Sequence, residues 1–226
     1  MDRIALIPAY NEEKTIGEAV KRLAKISIPS LVVDDGSKDK TEVFAKTAGS
    51  IVVKHEKNKG KGESIKTGFD FILKSLKEVE YVVLLDADLQ CLPEEASRVL
   101  DPLIKKRADF VMGFRNWKSV PFRHRLGNSV WKFFFNFLFR TKLKDTNCGY
   151  MALTREAIKQ IKNIHGGYII ENHILSQIVK KGLRIEQVPV NIVYINKSKV
   201  KRGLRMVFGV LWFIIKEGVK YELERF

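Results

Sequence analysis

The segment Tyr81-Val82-Val83-Leu84-Leu85-Asp86-Ala87-Asp88-Leu89-Gln90 opens with five apolar residues in succession and ends on two carboxylates and an amide. An apolar run of that length without alternation fits a strand buried on both faces of a parallel sheet. The same pattern repeats outward from it. Arg3 to Pro8 reads as a strand closed by a proline, and Ser30 to Val33, Ile51 to Val53 and Asp109 to Gly113 read as further strands. Between them lie helical stretches. Asn11 is expected to cap a helix running through Leu23, with Glu12, Glu13 and Glu18 toward its positive end and Lys21, Arg22 and Lys25 toward its negative end. Lys40 to Thr47 and the residues from the Asn58–Gly62 loop to about Lys77 complete the series. Strands alternating with helices of about 10–15 residues predict a doubly wound α/β layer structure.

Ligands of such sheets bind beyond the carboxyl ends of the strands. The polar clusters fall there: Tyr10-Asn11-Glu12 after the first strand, Asp34-Asp35-Gly36-Ser37 after the second and Asp86-Ala87-Asp88 after the fourth. Beyond residue 115 the pattern changes. A basic loop, Arg115 to Arg125, leads into the aromatic stretch Val130–Phe139; a short α/β stretch from Cys148 to Ile195 follows, then a basic segment, Lys197 to Arg205, and an apolar one, Met206 to Ile215.

The chain has 226 residues, enough for one domain with a substantial core and too few for two large ones. We therefore expect a single domain over 1–226, with 1–115 and 116–226 as its two parts. Lys and Arg number 41 against 26 Asp and Glu, and the resulting +15 favours polyanions: nucleic acid, an anionic membrane surface or phosphate-bearing substrates. Nucleic-acid binders interleave aromatic and basic residues on an exposed platform. Here the aromatics cluster in apolar runs and carboxylates occupy the strand ends, which argues against nucleic acid as a partner. Two cysteines, Cys91 and Cys148, make neither a disulfide framework nor a cysteine-based zinc site, and reduced thiols in a cytoplasmic setting are expected. His55, His124, His165 and His173 lack zinc-type spacing and read as structural or surface residues. The longest apolar run, Val207 to Ile215, is less than half of the roughly 20 residues that span a bilayer.

If the chain stays extended past Leu85, Asp86, Asp88 and Gln90 point to one side and converge. Mg2+ and Mn2+ take oxygen ligands, often one or two carboxylates completed by substrate phosphates. The structural alternative is that Asp86 caps the next helix while Asp88 is solvated. Asp34 to Ser37 reads either as a turn with a helix cap or as a site where Asp35 accepts hydrogen bonds from a base or ribose. Gly60-Lys61-Gly62 has neither the order of a P-loop nor that of a dinucleotide fingerprint, so an NTPase or dehydrogenase reading is unsupported.

Taken together, Pro8-Ala9-Tyr10-Asn11-Glu12, Val33-Asp34-Asp35-Gly36-Ser37, Asn58-Lys59-Gly60-Lys61-Gly62, Asp86-Ala87-Asp88-Leu89-Gln90 with Pro93-Glu94, and Gly113-Phe114-Arg115 resemble glycosyltransferase family 2, in particular its polyprenol-phosphate sugar synthases of the dolichol-phosphate mannosyltransferase type. Asp145-Thr146-Asn147-Cys148-Gly149-Tyr150 is similar to the family's later Asp-x-x-x-Gly-aromatic segment. The resemblance implies a GT-A fold, a Rossmann-like α/β domain with a mostly parallel central sheet flanked by helices, followed by amphipathic helices at a membrane interface. It implies that Pro8, Tyr10, Glu12, Val33 and Asp35 hold the nucleoside, and that Asp86, Ala87, Asp88 and Gln90 hold the diphosphate and its Mg2+ or Mn2+, with Asp88 and Gln90 nearest the metal. Arg115, Arg125 and Ser129 match positions that bind donor or acceptor phosphate, Arg115 and Asp88 being central to catalysis. Lys199 matches a lysine that clasps the diphosphate from a late loop, although the glycine of that motif is replaced here and Val193 stands where an arginine is usual.

The reaction so implied is inverting transfer of a hexose, with GDP-mannose the first expectation and UDP-sugars next, to a polyprenyl or dolichyl phosphate. An anionic lipid phosphate needs little help from a general base. A hydroxyl acceptor would need one, and Glu171 or Asp145 would then be the candidate. Five Phe residues and a Trp between Trp131 and Phe139 form either a core helix or a helix lying in a membrane interface. Lys197, Lys199, Lys201, Arg202 and Arg205 ahead of the apolar segment suit an anionic leaflet. The expectation is a protein peripheral to the cytoplasmic face of a membrane, with a separate membrane protein as a possible helper.

Overall fold

The computed structural model describes residues 2–115, 122–162, 164, 169–193 and 204–224. Seven strands form one sheet: β1 (Arg3–Ala9), β2 (Ser30–Asp34), β3 (Ile51–Lys54), β4 (Tyr81–Leu84), β5 (Phe110–Arg115), β6 (Met151–Thr154) and β7 (Ile185–Val190), in the order β3-β2-β1-β4-β6-β5-β7. Only β6 runs against the others, antiparallel to both β4 and β5. The helices are α1 (Ile16–Lys25), α2 (Thr41–Thr47), α3 (Lys61–Ser75), α4 (Ala96–Ile104), α5 (Phe122–Leu138), α6 (Arg155–Gln160), α7 (Ile170–Lys180) and α8 (Leu204–Leu223). This is the expected α/β architecture. β1 and β2 are buried almost end to end, as non-alternating apolar runs between two helical layers must be.

The chain winds outward from β1 to β2 and β3, then returns to place β4 on the other flank of β1. That reversal opens a crevice at the strand ends. Register sets it: Ala9 pairs with Asp34, Leu6 with Leu84, and Asp35 N donates to Ala9 O. The loops after β1, β2 and β4 therefore emerge side by side.

Two local expectations change. Asn11 does not cap α1, which begins five residues later with no side-chain cap on its first turn. Its backbone is left-handed at φ 54°, and its Oδ1 accepts from Lys38 N, so it ties the first loop to the second. At the far end of α3, the guanidinium of Arg155 donates to the carbonyls of Leu73, Leu76 and Val79, satisfying acceptors that a helix terminus leaves open. The position of α3 against the sheet, and of Lys61 at its start, is fixed from that end.

Candidate active site

A cleft of about 350 Å³ opens at the carboxyl ends of β1, β2 and β4. Pro8, Tyr10 and Glu12 line it from the first loop, Asp35 from the second, Gly60 and Lys61 from the start of α3, and Asp86, Ala87 and Asp88 from the loop after β4. Tyr10 is 42% exposed, its ring open to a ligand. Val33 stands differently from its neighbours in the motif: it is fully buried within β2, so its side chain backs the wall and does not face the cleft.

Asp35 is buried and organises the loop opposite. Its Oδ1 accepts from His55 Nδ1 at 2.8 Å and Lys59 N at 2.9 Å, and its Oδ2 from Gly60 N at 2.7 Å. His55 is no surface residue; its other ring nitrogen meets Thr67 Oγ1 at 2.9 Å, joining the loop to α3. Gly36, at φ 72°, lets the two loops touch: a Cβ there would lie 2.6 Å from the Lys57 carbonyl carbon.

The residues after β4 converge by a different route from the extended one expected. The strand ends at Leu84, the chain turns at Ala87 and Asp88, and Leu89 adopts a positive φ of 61°. Gln90 then folds back. Its backbone N donates to Asp88 Oδ1 at 3.1 Å, and its side-chain Nε2 donates to Asp88 Oδ2. Gln90 thus presents its amide nitrogen to the carboxylate and braces Asp88 beside the cleft. Asp86 and Asp88 still face one cleft. Among the described residues no group of three or more His, Cys, Asp or Glu side chains is arranged to hold a metal by itself. A hard cation that shares one or two carboxylates with a diphosphate needs no such group, so the donor set fits Mg2+ or Mn2+ of that kind.

Lys61, which the sequence offered only as part of a loop unlike a P-loop, stands at the centre of the site. Its Nζ lies 2.7 Å from Asp86 Oδ1 and 3.1 Å from Glu171 Oε1. Burial alone would lower the pKa of this ammonium, but the attraction of Asp86 and then Glu171 outweighs it and raises the pKa, so Lys61 is charged throughout the physiological range. Gly149 lies over the bridge; a Cβ there would come within 3.3 Å of Asp86 Oδ2 and 3.5 Å of Glu171 Oε1. The sequence signal available for Lys61 was a lysine flanked by glycines at a helix start, which is too short to stand out.

Arg115 ends β5 with its fork locked on Asp145: Nε–Oδ2 is 2.7 Å and Nη2–Oδ1 is 2.9 Å, with Asp145 1% exposed. It is not among the residues lining the cleft. Both carboxylates named for base catalysis are therefore ion-paired, Asp145 with Arg115 and Glu171 with Lys61. Arg125 and Ser129 lie one turn apart on the exposed face of α5. Lys199 lies outside the described residues. The segment leading toward it is tethered beside the cleft: Val193 N donates to Gln90 O, Cys91 bridges Ile192, and Asn191 is held twice by the Glu95 carboxylate. Burial pushes the Cys91 thiol well up and the Cys148 thiol to about 12, so neither is a nucleophile at neutral pH.

The chain matches the model of glycosyl transferase family 2 over residues 4–162. It is 29% identical to the UDP-N-acetylglucosamine--dolichyl-phosphate N-acetylglucosaminyltransferase of Methanococcus voltae, covering 90% of each chain. It is 27% identical to the polyprenol monophosphomannose synthase of Mycolicibacterium smegmatis, over 98% of this chain and 89% of that one. Among solved structures, glucosyl-3-phosphoglycerate synthase from Mycobacterium tuberculosis, in complex with Mn2+, uridine diphosphate and glucosyl-3-phosphoglycerate, superimposes with a TM-score of 0.77 at 22% identity, over 96% of this chain and 79% of that one. That likeness is one of fold.

Proposed function

The chain belongs to glycosyl transferase family 2, and from that premise we propose that it moves a hexose from a nucleotide sugar to a polyprenyl phosphate at the cytoplasmic face of a membrane. The observation that carries this reading is the sharing of one cleft by Asp86 and Asp88 with Tyr10, Glu12 and Asp35. Tyr10 lies against the base, Glu12 and the loop organised by Asp35 hold the ribose, and Asp88, braced by Gln90, faces the diphosphate. A bound Mg2+ or Mn2+ neutralises charge on the departing diphosphate.

The acceptor phosphate oxygen attacks the anomeric carbon as the bond to the nucleoside diphosphate breaks, and one displacement inverts the configuration. The acceptor is already an anion, so the reaction needs no carboxylate base, in keeping with the pairing of Asp145 and Glu171. Arg125 and Ser129 guide the lipid phosphate. Arg115, through Asp145, fixes the wall formed by residues 145–150, and Lys199 is assigned to the diphosphate on its match to the family motif alone. For the donor, one relative's name carries UDP-N-acetylglucosamine and another's carries mannose, so a UDP-sugar and GDP-mannose are the two donors to try first.

No helix among the described residues is long and apolar enough to cross a membrane. Instead α5 and α8 present Phe133, Phe137, Phe208 and Trp212, each more than 60% exposed, and we assign that face to the lipid interface. The test is transfer to polyprenyl phosphate in vesicles with a panel of GDP- and UDP-sugars, alongside calorimetry with GDP and UDP in Mn2+. Asp88→Ala is expected to lower kcat by about 100-fold or more while the melting temperature stays within a few degrees. Full turnover in that variant, or failure of every nucleotide to bind the wild type, overturns the assignment.

A further inference from the structure

Three elements distant in the chain meet at one ammonium. Lys61 opens α3, Asp86 follows β4 and Glu171 sits in the first turn of α7, and Lys61 Nζ reaches both carboxylates, 2.7 Å from one and 3.1 Å from the other. Glu171 is only 12% exposed and the Gly149 backbone packs over the group, while Asp86 is 39% exposed, so water screens the Glu171 side of the bridge less than the Asp86 side. Asp88, two residues beyond Asp86, is held by the Gln90 backbone and amide. Asp86 and Glu171 are thus already paired from within the chain with one fixed cation, while Asp88 is held by neutral hydrogen-bond donors.

We propose that Lys61 is the resident counter-ion of this carboxylate set, a positioning residue that keeps a free divalent cation out until a nucleotide brings diphosphate oxygens with it. A cation arriving alone meets a carboxylate that is already compensated and an ammonium that repels it. One arriving on a diphosphate brings two or more negative charges, which outweigh that repulsion and are themselves attracted to Lys61. The order of binding is then built into the site: the metal enters with the donor and leaves with the nucleoside diphosphate. This rests on the proposed function for the identity of the nucleotide, but the charge balance can be tested without it.

The experiment is Mn2+ binding to the whole protein, read from the resonance signal of free Mn2+, with and without UDP or GDP. In the wild type, binding is expected to be at least about tenfold tighter with the nucleotide present. Lys61→Met is expected to tighten nucleotide-free Mn2+ binding by about tenfold or more, since a unit charge at contact distance is worth at least that in a partly buried site. Lys61→Arg is expected to behave as the wild type. The proposal falls if folded Lys61→Met, checked by its melting curve, binds Mn2+ no more tightly than wild type. It falls equally if a nucleotide shown by calorimetry to bind the wild type leaves its Mn2+ affinity unchanged, a result that stands even if Lys61→Met does not fold. If no nucleotide binds but Lys61→Met still gains Mn2+ affinity, the donor reading fails and the counter-ion role survives.

Discussion

Gly36 and Asp145 show how single residues hold the cleft open and rigid. Gly36 combines a left-handed backbone with a contact that leaves no room for a methyl group against the Lys57 and Asn58 backbone. An alanine there must strain its own φ, at about 1–2 kcal/mol, and also push back the loop that Asp35 organises. Gly36→Ala is therefore expected to raise the dissociation constant for the nucleoside diphosphate by about tenfold or more, with a smaller effect on the melting temperature, as calorimetry and thermal melts can check together. A variant that binds nucleotide like the wild type would disconnect that loop from the donor site. Asp145 works through burial: it takes both prongs of the Arg115 fork and accepts a third hydrogen bond from Asn147 N. Truncating one partner of such a pair leaves the other charge buried without its match, typically at about 3–5 kcal/mol. Asp145→Ala should lose stability on that scale in a urea melt; a loss below about 1 kcal/mol would mean that the pair behaves as a surface one.

At the scale of elements, α5 and α8 resolve what an aromatic run left open. On α5 and the turn that ends it, Trp131, Phe135 and Phe139 form the buried face, with the last two rings stacked at 4.3 Å and Trp131 Nε1 donating to Val207 O of α8. Phe133 and Phe137 point the other way, 63% and 71% exposed. The run is core on one face and open on the other, so the core-helix reading holds for one side and the proposed interface concerns only the exposed side. Exposed aromatics contribute little to folding but a great deal to partition into an interface. Replacing Phe133, Phe137 and Trp212 together by Ser is expected to cut binding to anionic vesicles by about tenfold or more and to leave the melting temperature within a few degrees. Cosedimentation measures the first; undiminished cosedimentation would remove this face from the lipid interface.

For the whole molecule, the strand order carries the functional geometry. β1, β2 and β4 point their carboxyl ends into one crevice because the chain reverses its winding direction at β1. The surplus of +15 gives the molecule as a whole a net charge suited to anions. Under the proposed function that charge suits a phosphorylated donor, a phosphorylated acceptor and an anionic leaflet alike.

Unbroken apolar runs and the helices between them were readable along the chain, since burial on both faces of a parallel strand leaves a contiguous signature. So were the polar ends at Tyr10, Asp35 and Asp86–Asp88, because each belongs to a short segment leaving a strand the sequence had already located. The antiparallel insertion of β6 left no such mark, since a four-residue strand reads the same in either direction. Nor did the Lys61–Glu171 contact, whose partners lie 110 residues apart, the pairing of Arg115 with Asp145, or the turn that brings Gln90 back onto Asp88. Those are meetings of side chains from elements that only the packed fold brings within 3 Å or so, and local pattern carries no record of them. The kind of site was written in the order of the residues; its charge balance was decided by the packing.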